Sequence, residues 1–112
     1  MLKTEFGIVE YFDNGEYVID ESIGVIYIDE DKYINDWWNK LLTIKTYFHN
    51  LDRPAQALAR WGITLIPPES LPAFQDIILS DKRINEDTHL VELANLISMA
   101  INNNKFIIHF GV

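Results

Sequence analysis

The side chains whose types could do chemistry begin with His49, which has Asp52 three residues on and Arg53 beside it. An imidazole oriented by a carboxylate is the arrangement of a general base, and a neighbouring guanidinium could hold an anionic group. Such a pair also needs a nucleophile and an orienting shell, and the sequence sets none beside it. His89 has Glu92 at i+3 and reads as a surface residue at the start of a helix. His109 lies inside the apolar run "KFIIHF", where a hydrogen-bonded, partly buried imidazole is expected. The separations between these histidines, forty and twenty residues, give no metal-ligand spacing.

The acids come in runs, Asp20 with Glu21 and Asp29 through Asp31. Carboxylate-pair catalysis requires two groups facing each other across a substrate, one of them with a pKa raised by burial, and adjacent surface acids do not meet that condition. Asp29, Asp31, Tyr33 and Asn35 alternate as in a calcium loop. Tyr33 itself, the missing central glycine and the missing glutamate at position twelve break that pattern. Arg53 and Arg60, seven residues apart, would share a face if they stood on one helix, and solvated flank positions are the simpler reading. There is no Gly-rich phosphate loop, no HExxH, no G-x-S-x-G and no cysteine, so no cofactor or metal is expected.

Charge is more informative than motif. Residues 1 to 36 hold ten acids (Glu5, Glu10, Asp13, Glu16, Asp20, Glu21, Asp29, Glu30, Asp31, Asp36) against Lys3 and Lys32, a net −8 that equals the charge of the whole chain. The remaining residues carry seven of each sign and balance. A field of this sign repels phosphate backbones and attracts basic proteins, which disfavours nucleic acid as a partner. The same excess also keeps a small protein soluble without any partner. The opening "MLKTEFGIVEYF" has no signal-type apolar region and no run of eighteen apolar residues occurs, so a soluble cytoplasmic protein off the membrane is expected.

The elements that must position these groups follow from periodicity. At 112 residues and 48% hydrophobic composition, one globular domain spanning 1–112 is expected. "EFGIVEYF" and "YVIDES" read as strands joined by a type I′ turn at Asn14-Gly15, and "IGVIYID" as a third strand. The hairpin should pack one face on helices and leave the other partly covered by tyrosines. Tyr33, Trp37, Leu41, Ile44 and Phe48 recur at helical spacing, predicting a long helix over 31–49 with Asp29 or Asp31 at its start. Asp52, Pro54, three alanines and Gly62 predict a second, short helix. "ITLI" is a strand stopped by Pro67 and Pro68, and Ser70 and Asp87 or Thr88 can each cap a further helix. "KFIIHF" closes the chain as a strand, and its two apolar faces place it inside the sheet. The fold class is α+β, a small mostly antiparallel sheet with three to four helices packed on one face.

Trp37 and Trp38 are adjacent, and neighbours on a helix point about 100° apart. Trp37 is in register with Leu41 and Ile44. Trp38 falls on the flank of that stripe, at the core edge or on an interface. An exposed tryptophan beside concentrated acid is what a hot spot for a basic partner looks like. The leading functional expectation is therefore a small acidic protein-binding domain, similar in size and charge to bacterial immunity and inhibitor proteins that occlude a basic toxin or nuclease. The contacts would come from Glu16, Asp20, Glu21, Asp29, Glu30, Asp31, Asp36 and Trp38. A structural or regulatory homodimer built on the terminal strand or Trp38 is one alternative. A small-molecule enzyme using His49 and Asp52 is the other.

Overall fold

The computed structural model describes residues 2–111. The first strand, β1 (Lys3–Asp13), turns at Asn14 (φ 53°) and Gly15 (φ 84°) into β2 (Glu16–Ile19). Both turn residues have the positive φ that a type I′ hairpin demands, as expected from the Asn-Gly pair. The third strand, β3 (Ile26–Asp29), follows. The Asp29 carboxylate then accepts the Lys32 N–H at 3.1 Å and starts a wide helical turn over Glu30–Ile34, which runs on into α1 (Asn35–Leu41).

Here the chain departs from the helical expectation for 31–49. The helix ends at Leu41, and Lys45–Phe48 forms β4. Ile44, Thr46 and Phe48 also alternate at the strand period, and the stretch is rich in β-branched and aromatic residues. Hydrogen bonding decides between the two periods, because the Ile44 carbonyl accepts the Ala57 N–H at 3.1 Å and the Thr46 hydroxyl donates to the Ala57 carbonyl at 2.7 Å. The second expected helix is corrected by the same contacts. Pro54–Gln56 is β5, paired with β4, and Ala57 at φ 62° leaves helical space altogether.

The remainder follows the sequence closely: β6 (Ile63–Ile66), α2 (Leu71–Leu79), α3 (Thr88–Asn102) and β7 (Ile107–Phe110). Pro72 occupies the first turn of α2, where its missing N–H is harmless. Ser70 stands before α2 without capping it, and its hydroxyl donates instead to the Lys45 carbonyl at 2.7 Å. Asp87 caps α3 by accepting the His89 N–H at 2.9 Å. No helix among the described residues is long and apolar enough to cross a membrane.

The fold is α+β, with a mostly antiparallel seven-stranded sheet and three helices packed together. The strand order is β2-β1-β7-β6-β4-β5, so the closing strand β7 is internal. The long β1 has β7 on one edge and two successive partners on the other. Lys3 through Phe6 pair with β3, whereas Val9 and Tyr11 through Asp13 pair with β2, with a bulge between Val9 and Tyr11. One sheet face presents Phe6, Ile8, Ile28, Ile66 and Ile107 to Tyr33, Trp37, Phe74, Leu93 and Ile97 of the helical layer. The other face holds a smaller core of Val9, Leu65 and Ile108, rimmed by Tyr17, Tyr47, Phe106 and Phe110. Tyrosines thus flank this face, as the sequence implied.

Candidate protein-interaction surface

The acids expected to form one surface are spread along the molecule. Asp29 pairs with Lys3 at one end of β1, and Glu16 pairs with Asp13 at the other. Ten residues of strand at about 3.3 Å each separate the two ends by about 30 Å. Several of these acids are also used internally. Glu30 is 3% exposed and grips Arg60 through two bonds of 3.0 and 2.8 Å, so it is withdrawn from any contact surface. Asp29 caps the turn before α1, Asp20 closes a local turn by accepting the Ser22 N–H and hydroxyl, and Asp36 pairs with Arg83 at 3.0 Å.

Among the described residues, Glu10, Asp13, Glu16, Glu21 and Asp31 are exposed and take part in no ion pair. The first three surround the β1–β2 turn. Here Phe12 packs edge-on against Phe106, with ring centres 5.0 Å apart, and its neighbour Tyr11 faces water at 54% exposure. The nearby cation Lys105 donates to the Glu10 backbone carbonyl at 2.6 Å. The hairpin is therefore an acidic arm with an aromatic side chain on its outer face. Glu16 belonged to the expected set. Glu10, Asp13 and Tyr11 did not, although acids on both sides of an Asn-Gly turn were the signal that could have found them.

The tryptophans divide between core, core edge and surface. Trp37 is buried, and its indole N–H donates to Asp81 at 2.8 Å. Trp38 is half-buried at the edge of the helical core, with the Arg60 guanidinium 5.3 Å from its ring centre. Arg60, anchored by Glu30 and donating to Asn35 at 2.5 Å, thereby covers the ring that was a candidate for recognition. The Glu30 carboxylate and burial act on Arg60 in opposite senses, and the carboxylate prevails to raise its pKa further. The exposed tryptophan is Trp61, at 76%, in the loop before β6.

His49 sits at φ 68° at the end of β4, with its imidazole against Gly62. An open cleft of ≈ 690 Å³ joins it to Asp52, Asn50, Asn14, Glu16 and Tyr17. The acids that an imidazole-based enzyme would need are thus in the same cleft. Among the described residues, however, no hydrogen bond orients the His49 ring. Arg53 is exposed in the adjoining turn and does not share a helix face with Arg60, because that helix does not form.

His109 is buried in the sheet and is structural. The Thr4 hydroxyl donates to the Phe110 carbonyl at 3.0 Å and so accepts from His109 Nε2; the Thr64 hydroxyl accepts the Ala59 N–H at 2.7 Å and faces His109 Nδ1 at 3.4 Å. Both ring nitrogens are satisfied in the neutral form. Burial pushes the imidazole down to about 3. On the helical side, Arg83 holds the Asp81 carboxyl well below the usual carboxylate range, and burial with Asp87 as hydrogen-bond partner raises the Tyr33 hydroxyl. No group of three or more acids and histidines among the described residues is placed to hold a metal ion.

Compared with protein-family models, curated proteins and solved structures, the chain matches none. The surface must therefore be interpreted from its own chemistry.

Proposed function

We propose that this chain is a small acidic binding domain for a basic protein, acting as an inhibitor or immunity protein acts, by covering the partner's cationic surface. The observation that carries the reading is the β1–β2 arm, where Glu10, Asp13 and Glu16 are exposed and, among the described residues, take part in no ion pair, and where Tyr11 is exposed on the same hairpin. Free carboxylates steer a cationic partner and set its orientation, and an exposed tyrosine supplies contact area with few rotamers to freeze. Glu21 extends the same charge beyond β2, and Asp31 adds charge at the far end of the sheet.

The test is affinity capture at low and high salt from cells that express the protein, repeated with Glu10, Asp13 and Glu16 all changed to lysine and with Tyr11→Ala. Circular dichroism serves as the folding control. The reading expects a basic protein that is captured at low salt, lost at high salt and lost with either variant. Capture that ignores both changes would sink it.

A second reading, a small-molecule enzyme, rests on the cleft that brings His49 together with Asp52 and Glu16. Its requirement is a bound ligand that orients the imidazole, and His49→Ala should then abolish turnover without changing stability.

A further inference from the structure

Lys3 and Lys32 are the only cations among the first 36 residues, and the fold brings both to one small cavity. The cavity, ≈ 230 Å³, is lined by these lysines with Tyr27, Ile28, Asp29, Asp87 and His89. It lies at the Lys3–Asp29 end of β1, about a strand's length from the acidic arm. Lys3 and Asp29 face each other across β1 and β3, yet the Lys3 ammonium rests 5.5 Å from the Tyr27 ring centre and forms no ion pair among the described residues. The Lys32 ammonium likewise lies 5.5 Å from the Tyr33 ring centre.

The two acids of the cavity are already engaged by other donors. Asp87 accepts the Tyr33 hydroxyl at 2.5 Å on one oxygen and the His89 N–H at 2.9 Å on the other. Asp29 accepts the Lys32 N–H at 3.1 Å. The second Asp29 oxygen has no hydrogen-bond partner among the described residues, and beside it stand donors that likewise have none: two ammonium groups with three N–H bonds each, and the His89 imidazole. Tyr27 and Ile28 provide an apolar wall beside them. The formal charges of the lysines and aspartates cancel, so the site selects by donor geometry and contact, with little help from long-range attraction.

We propose that this cavity binds a small phosphate monoester, its phosphoryl oxygens taken by Lys3, Lys32 and His89 and its organic group laid against Tyr27. The volume is below that of drug-sized pockets and suits a phosphoryl group with a small substituent. A phosphoryl group also offers three oxygens to the three donor side chains, one more than a carboxylate offers.

The experiment is an NMR titration of the full chain with inorganic phosphate, phenyl phosphate and benzoate, on the parent and on Lys3→Met, Lys32→Met and the remote Lys82→Met. The proposal expects saturable shifts at Tyr27 and His89, tighter binding of phenyl phosphate than of inorganic phosphate or benzoate, at least tenfold weaker binding in either cavity variant, and no change in Lys82→Met. Equal affinity for benzoate would overturn the choice of phosphate. Shifts that do not saturate, or that weaken equally in Lys82→Met, would overturn the site itself. Because the acidic arm is untouched by these variants, the outcome is independent of whether the arm binds a basic protein.

Discussion

The Arg60 guanidinium binds both oxygens of the nearly inaccessible Glu30 carboxylate, at 3.0 and 2.8 Å, and lies over Trp38 while doing so. The pair joins the turn before α1 to the loop before β6, thirty residues apart in the chain. Because Arg60 remains a third exposed, losing its partner should cost less than the 3–5 kcal/mol typical of fully buried pairs. Glu30→Gln is expected to destabilise the fold by about 1–3 kcal/mol in urea unfolding, and to shift Trp38 fluorescence as the guanidinium loosens. A loss below about 0.5 kcal/mol would show the pair to be no stronger than a surface salt bridge.

Trp37 and Trp61 should respond in opposite ways. Trp61→Ala, at the most exposed large apolar side chain among the described residues, is expected to stay within about 0.5 kcal/mol of the parent and to remove most acrylamide quenching. Trp37→Phe deletes the N–H bonded to Asp81 and should cost about 1–3 kcal/mol. Denaturant midpoints and quenching constants measured on the two variants separate the cases.

Acid should weaken the sheet through His109. Its folded pKa of about 3 lies below the ordinary 6.5, so the unfolded chain takes up a proton first as pH falls. This contribution to stability is complete above about pH 6.5 and declines by about 1.4 kcal/mol per pH unit until the folded state also titrates near 3. The depressed Asp81 adds its own loss only at lower pH, in the carboxylate range. Between pH 6.5 and 5 the fold should lose about 1.5–2 kcal/mol, and His109→Gln should flatten that slope. An unchanged slope in the variant would assign the effect elsewhere.

Gly62 is constrained twice. Its φ of 140° strains any other residue, and an added Cβ would come within 3.0 Å of the His49 ring. Gly62→Ala is expected to cost about 1–3 kcal/mol. Pairing it with His49→Ala should recover only the contact part of that loss, and full recovery in thermal unfolding would argue against backbone strain.

How far the sequence revealed this arrangement depended on whether neighbouring signals agreed. The Asn14-Gly15 turn, the Asp87 cap, α2, α3 and the internal position of β7 were all readable because local propensity and hydrophobic period point the same way. The segment from Leu41 to Gly62 was not. Leu41, Ile44 and Phe48 satisfy a helical stripe, while Ile44, Thr46 and Phe48 equally satisfy a strand, and only the distant bonds to Ala57 settle the matter. Ala57 itself adopts a positive φ that no alanine-rich pattern announces. The charge excess was visible, but its division into carboxylates engaged by Arg60, Arg83 and backbone N–H groups and carboxylates left free depends on contacts across the fold. Trp38, which the sequence leaves between core edge and interface, lies at the edge of the core. Its cover, Arg60, comes from a loop whose alanines and closing glycine carry a helical pattern.

The bulge between Val9 and Tyr11 divides the labour of β1. Before it, the strand is clamped between β3 and β7. From it onward, the strand pairs with β2 alone and carries Glu10 and Asp13. Substitutions on the arm should therefore combine additively with substitutions in the helical core, since the two groups share no partners. Such a molecule can exchange one set of contact residues for another while its folding problem stays solved.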